Sequence, residues 1–100
     1  MSFAKTEMEV IVWGTKRGIV QISNPEAQAW KTQEELNELI LAIHEDDRDA
    51  MKDAYGDILV TLVMGCACAD LDLVECFKGA YEEIKDRKGY LNEQGVFIKQ

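Results

Sequence analysis

The chain has 100 residues, 47% of them hydrophobic, and a formal net charge of −8. That length suits one domain, 1–100, with a modest core, and the apolar fraction excludes a disordered chain. The acidic balance excludes a general nucleic-acid binder, which needs a basic face, although a divalent metal can still bridge carboxylates to the phosphates of a nucleotide.

The pattern predicts four helices and a short tail. The first runs from about Phe3 to Lys16, anchored by Val10, Ile11 and Trp13. Gly18 breaks it, and GIVQISN is expected to cross over as a loop. Asn24-Pro25 then reads as a helix start, a capping side chain followed by Pro at the first helical position. The second helix extends to about Glu45, with Leu36, Leu39, Ile40 and Ile43 as its core stripe at i, i+3, i+4, i+7.

HEDDRD interrupts the apolar pattern. Asp47 or Asp49 caps the third helix, which runs to about Ala69. Asp70 or Asp72 starts the fourth, with Val74, Phe77, Tyr81 and Ile84 facing inward. KDRKG ends that helix with cations in the last turn and Gly89 as a stop. YLNEQGVFIK is expected to form a small hairpin around NEQG. Short connections suit an antiparallel four-helix bundle.

The N-terminal MSFAKTEMEV is charged and has no apolar run, so no leader is expected. The longest uncharged stretch, ILVTLVMGCACA at 58–69, is too short to span a bilayer and reads as a core helix. No membrane partner is expected. Cys66, Cys68 and Cys76 lack zinc spacing and read as small buried side chains of a reducing cytoplasm.

On the second helix, Gln28, Lys31, Glu35, Glu38 and Ala42 share a stripe opposite the apolar one. Glu34 lies on its outer edge. On the third, Asp53 and Asp57 share a face that continues as Val60 and Met64. The other face, Tyr55, Ile58, Leu59 and Leu62, is apolar too, so this helix reads as buried. Gly56 would let another backbone or a ligand come close. Two readings of the acids stand at this point. One is a solvated acidic face with capping aspartates. The other is an oxygen-lined site with two carboxylates from each helix, suited to Mg²⁺ or Mn²⁺. The lone His44, near a helix end, is not expected to be a ligand.

Glu34-Glu35-Leu36-Asn37-Glu38 resembles the EExxE motif of the MazG-like all-α nucleoside triphosphate pyrophosphohydrolases. Asp53-Ala54-Tyr55-Gly56-Asp57 falls where that family has ExxD. WGTKRGIV, NPEAQAWKTQEEL and YEEIKDRKGYLNEQGVFIK resemble small stand-alone members, many of them phage-encoded, and the likeness covers about residues 10 to 99. There are departures. Ala54 stands where the wider family has Glu, with Asp53 as the substitute, and Glu83 stands where a Lys is often found.

The resemblance implies Mg²⁺-dependent hydrolysis of a (deoxy)nucleoside triphosphate to monophosphate and pyrophosphate, with Mn²⁺ as a substitute. Glu35, Glu38, Asp53 and Asp57 would hold the metal. Glu34, with the catalytic Glu35 and Glu38, would orient or deprotonate the attacking water. Lys31 would touch phosphate or merely pair with Glu35 at i,i+4, Lys85 and Arg87 would meet the triphosphate, and Trp13 or Trp30 would either stack on the base or belong to the core or an interface. Lys88 suits the helix end better than a phosphate. A homodimer or homotetramer is expected, because helix three is apolar on more than one face. The alternatives are a phosphoribosyl-ATP pyrophosphohydrolase, a dimeric dUTPase-like enzyme, or a non-catalytic metal-binding interaction protein, which Ala54 keeps open.

Overall fold

The computed structural model describes residues 2–100. It is all-α apart from a terminal hairpin, with α1 at Phe3–Lys16, α2 at Ile19–Ile22, α3 at Pro25–His44, α4 at Arg48–Cys68 and α5 at Leu73–Ile84. The strands β1, Gly89–Leu91, and β2, Phe97–Lys99, pair antiparallel with Tyr90 opposite Ile98. The expected crossover loop contains one turn of helix, α2. Gly18, at φ 79°, takes the left-handed conformation that lets the chain turn into it.

Side chains fix each helix start. Ser2 accepts from Lys5 N, Asn24 from Ala27 N, Asp47 from Ala50 N, and Asp72 from both Val74 N and Glu75 N. Each satisfies a backbone donor that the first helical turn leaves free. The hairpin turn is held in the same way, with Asn92 Oδ1 accepting from Gln94 N and Val96 N.

The body of the fold is the helical hairpin α3–α4. Its register follows from two contacts. Thr32 Oγ1 meets Thr61 Oγ1 at 2.7 Å, and Gly65 packs against the Cβ of Gln28. In that antiparallel register Ala54 is level with Leu39, and Asp57 with Leu36.

The face of α3 turned to α4 differs from the expected one. Glu35, Leu39 and Ala42 are buried there, with Gln28 and Thr32 half-buried. Of the apolar stripe only Leu39 is buried. Leu36, Ile40 and Ile43 remain exposed, and so do Tyr55, Leu59 and Leu62 on α4. The stripe read as polar is therefore the packing face within the chain. It works because small and polar side chains let the two helices come close and hydrogen-bond across the seam.

Helix α1 packs on the face of α4 that carries Val60, Val63 and Met64, where Gly14 leaves room for the buried Met64 side chain. Helix α5 touches α1 and α4 and not α3. It buries none of its residues, and the expected inward stripe Phe77, Tyr81 and Ile84 is exposed. Among the described residues no helix is long and apolar enough to cross a membrane.

Candidate carboxylate site on the helical hairpin

Helical geometry places the motif residues around the seam. On α3, Glu38 lies about 60° to one side of Glu35, with Lys31 and Glu34 on the same side. On α4, Asp57 lies about 60° from Ala54, and Asp53 about 100°, in the matching sense. Because the helices are antiparallel, both sets fall on one edge of the hairpin and at one height. Leu36, Ile40 and Ile43, with Tyr55 and Leu62, fall on the other edge. One edge of α3–α4 is thus acidic and the other apolar.

Burial grades this acidic edge. Glu35 is only 7% exposed, while Glu34, Glu38, Asp53 and Asp57 are exposed. Asp53 therefore does not take the seam position of the buried Ala54. It sits further out than the Glu it was expected to replace. Gly56 faces open space rather than another backbone. Among the described residues, no group of three or more His, Cys, Asp or Glu is drawn together as a finished metal site.

The positive group on this edge is Lys31. Its Nζ lies 3.2 Å from Glu34 Oε2 and 3.6 Å from Glu35 Oε1. The hydrogen bond and charge of Glu34 raise the Lys31 pKa, with Glu35 adding less. Glu35 is pulled in two directions. Burial raises its pKa most, the neighbouring Glu38 raises it further, and Lys31 opposes both. Its second oxygen, Oε2, is buried with no hydrogen-bond partner.

A buried carboxylate oxygen without a partner is costly. The residues exposed along the same edge, Glu34, Glu38, Asp53 and Asp57, are carboxylates too, all hard oxygen donors. That donor set fits a divalent cation of the magnesium kind and does not fit one that prefers sulfur or imidazole.

A cavity of about 410 Å³ opens between α1 and α4. It is bordered by Phe3, Thr6, Val10, Gly56, Val60 and Val63. Gly56 and Val60 flank Asp53 and Asp57 on the helix surface, so the apolar cavity adjoins the acidic edge. Nothing in the spacing of α1 announced it, because it is made by residues about fifty positions apart in the chain. Glu7, buried beside this cavity, accepts from Val74 N at 3.1 Å and ties α1 to the start of α5.

The remaining expected site residues are dispersed. Trp13 is 41% exposed, with the Arg17 guanidinium 4.7 Å from its ring centre. Trp30 is exposed. Lys85 pairs with Glu82 at 2.6 Å, and Arg87 follows the end of α5. That helix borders α4 on the Leu59 and Leu62 side, around from Asp53 and Asp57. Within one chain Lys85 and Arg87 are not brought to the carboxylates.

Fold and edge together describe an all-α protein with a row of carboxylates along one edge of a helix pair. Residues 23–91 match the family model described as the MazG nucleotide pyrophosphohydrolase domain, and the chain belongs to that family. The family's activity is nucleotide pyrophosphohydrolysis, a hydrolase reaction. No curated relative and no solved structure matches the chain.

Proposed function

We propose that this protein hydrolyses a nucleoside or deoxynucleoside triphosphate to its monophosphate and pyrophosphate, using Mg²⁺, which Mn²⁺ can replace. The observation that carries this reading is the unpartnered, buried Glu35 Oε2, inside the segment that matches the family. Glu35, Glu38, Asp53 and Asp57 would hold the metal. When bound, the metal neutralises phosphate oxygens and lowers the pKa of a bound water.

The chain's own groups do the rest. Glu34 is exposed beside the ligands and is free to orient the attacking water or take its proton. The apolar cavity beside Asp57 suits a base. Trp30 offers an open stacking face, whereas Arg17 already covers one face of Trp13. Lys85 and Arg87 would meet the triphosphate from a second copy, in a homodimer or homotetramer. The exposed face of α5 supports that arrangement. The protein would act in the cytoplasm, host cytoplasm if it is phage-encoded.

The test is pyrophosphate release from a panel of NTPs and dNTPs that includes dUTP and phosphoribosyl-ATP, with Mg²⁺, Mn²⁺ or EDTA. Metal-dependent release with matching monophosphate is expected. Glu38→Gln and Asp57→Asn should abolish it and leave the helical circular dichroism intact. Near-normal rates in either variant would remove that residue from the ligand set. One observation favours a second reading, a non-catalytic metal-binding interaction protein: Ala54 leaves the seam without a carboxylate on the α4 side. Metal binding without turnover of any substrate in the panel would select it.

A further inference from the structure

We propose that Lys31 is an exchangeable counter-ion. It pairs with Glu34 and Glu35 while the carboxylate edge is empty, yields Glu35 to an arriving divalent cation, and then takes an oxygen of the triphosphate. This rests on the metal reading above and joins the two static roles open to Lys31, a pair with Glu35 or a contact with phosphate, into one exchange.

Three observations carry it. The Lys31 ammonium bridges Glu34 and Glu35 at 3.2 and 3.6 Å, so it occupies the positive position on the edge. It reaches only Oε1 of Glu35, and Oε2 remains buried and bare. One lysine therefore half-satisfies a carboxylate that is 7% exposed, whereas a divalent ion can draw on both oxygens. Lastly, the Lys31 side chain is 49% exposed. Its flexible stem is free to swing outward along the edge where phosphate would lie. A lysine locked in a buried pair could not do this.

The exchange predicts effects of opposite sign from one substitution. Lys31→Met keeps the stem and removes the charge. By calorimetric titration of the full-length protein, the variant should bind Mg²⁺ alone more tightly, by roughly threefold, the size of effect a half-exposed ion pair supports. With saturating Mg²⁺ it should bind inorganic triphosphate more weakly, by about the same factor or more. Lys52→Met is the control. It changes net charge equally, but residue 52 lies about 160° around α4 from the seam residue Ala54, turned away from α3 and Lys31, and neither affinity should move.

Lys31→Met with unchanged Mg²⁺ affinity would overturn the exchange and leave the metal site standing. Tighter binding in both steps would also overturn it, reducing Lys31 to a repulsive neighbour. If the parent protein binds no Mg²⁺ and none stabilises it against heat, the metal reading itself fails. The exchange then falls with it.

Discussion

Glu35 holds a strained charge, buried and only half paired. Burial and the neighbouring Glu38 favour its neutral form, and Lys31 only partly offsets them. The folded protein therefore binds this proton more tightly than the unfolded chain does. By linkage, Glu35 lowers stability progressively as pH rises from the ordinary carboxylate value of 4.5 through its raised folded value, and acidification through that window restores it. Glu35→Gln keeps the shape and removes the charge. In EDTA at pH 7 the variant should melt higher than the parent, and the gap should close as pH falls toward 4.5. An unsatisfied buried polar atom costs about 1–3 kcal/mol, and each kcal/mol moves Tm by roughly 4–8 °C in a domain of this size. Differential scanning calorimetry across that pH range measures it. A variant no more stable than the parent at pH 7 would mean that Lys31 already satisfies Glu35.

Asp46 and Asp70 matter at the next scale, because each ends a helix. Both have positive φ, 52° and 59°. After α3, Asp46 N donates to Ile43 O and Asp47 N to Ala42 O. After α4, Asp70 N donates to Ala67 O and Leu71 N to Cys66 O. These paired bonds cap the last carbonyls, and the left-handed residue they require is most easily Gly. Asp46→Gly should therefore raise stability by about 0.5–1 kcal/mol, read as a shifted urea midpoint with unchanged slope. The site should be unaffected, since Asp46 faces none of its residues. A lower midpoint would show that the Asp46 side chain contributes more than the backbone strain it imposes.

The helix ends were legible in the sequence because caps are local: Asn24, Asp47 and Asp72 each serve the turn that follows. The shared edge of Glu35 and Glu38, and of Asp53 and Asp57, was legible for the same reason, from spacings of three and four. The direction in which α3 faces was not. Leu36, Ile40 and Ile43 show which residues should leave water, but not which body covers them, and a face meant for a second chain looks like a core. Gln28, Thr32 and Ala42 look like surface until Thr61 and Gly65 arrive opposite them. In the sequence Ala54 is a gap in a motif. Only the register shows that it fills the seam and that Asp53 lies outside it.

Across the whole molecule these exposed faces add up to an unfinished core. The buried hydrophobic residues are Leu39, Ala42, Ala54, Val63 and Met64, too few to offset the entropy of ordering about a hundred residues. The radius of gyration is 15.6 Å, against about 13 Å for a compact domain of this length. The apolar edge, with Phe77, Tyr81 and Ile84 of α5, supplies the surface that a second copy would cover. A dimer or tetramer is therefore expected, and its stability should depend on protein concentration. Ile40→Glu places a charge in the middle of the apolar edge, about 140° around α3 from Glu35. In sedimentation equilibrium the parent should run as a dimer or tetramer at micromolar concentration and the variant as a monomer. The variant should also melt at a lower temperature that no longer rises with concentration. Activity should fall with assembly if Lys85 and Arg87 reach the carboxylates from the neighbouring copy. A parent that stays monomeric while turning over substrate would place the whole site within one chain, and α5 would then have to close over α4 to bring its cations in.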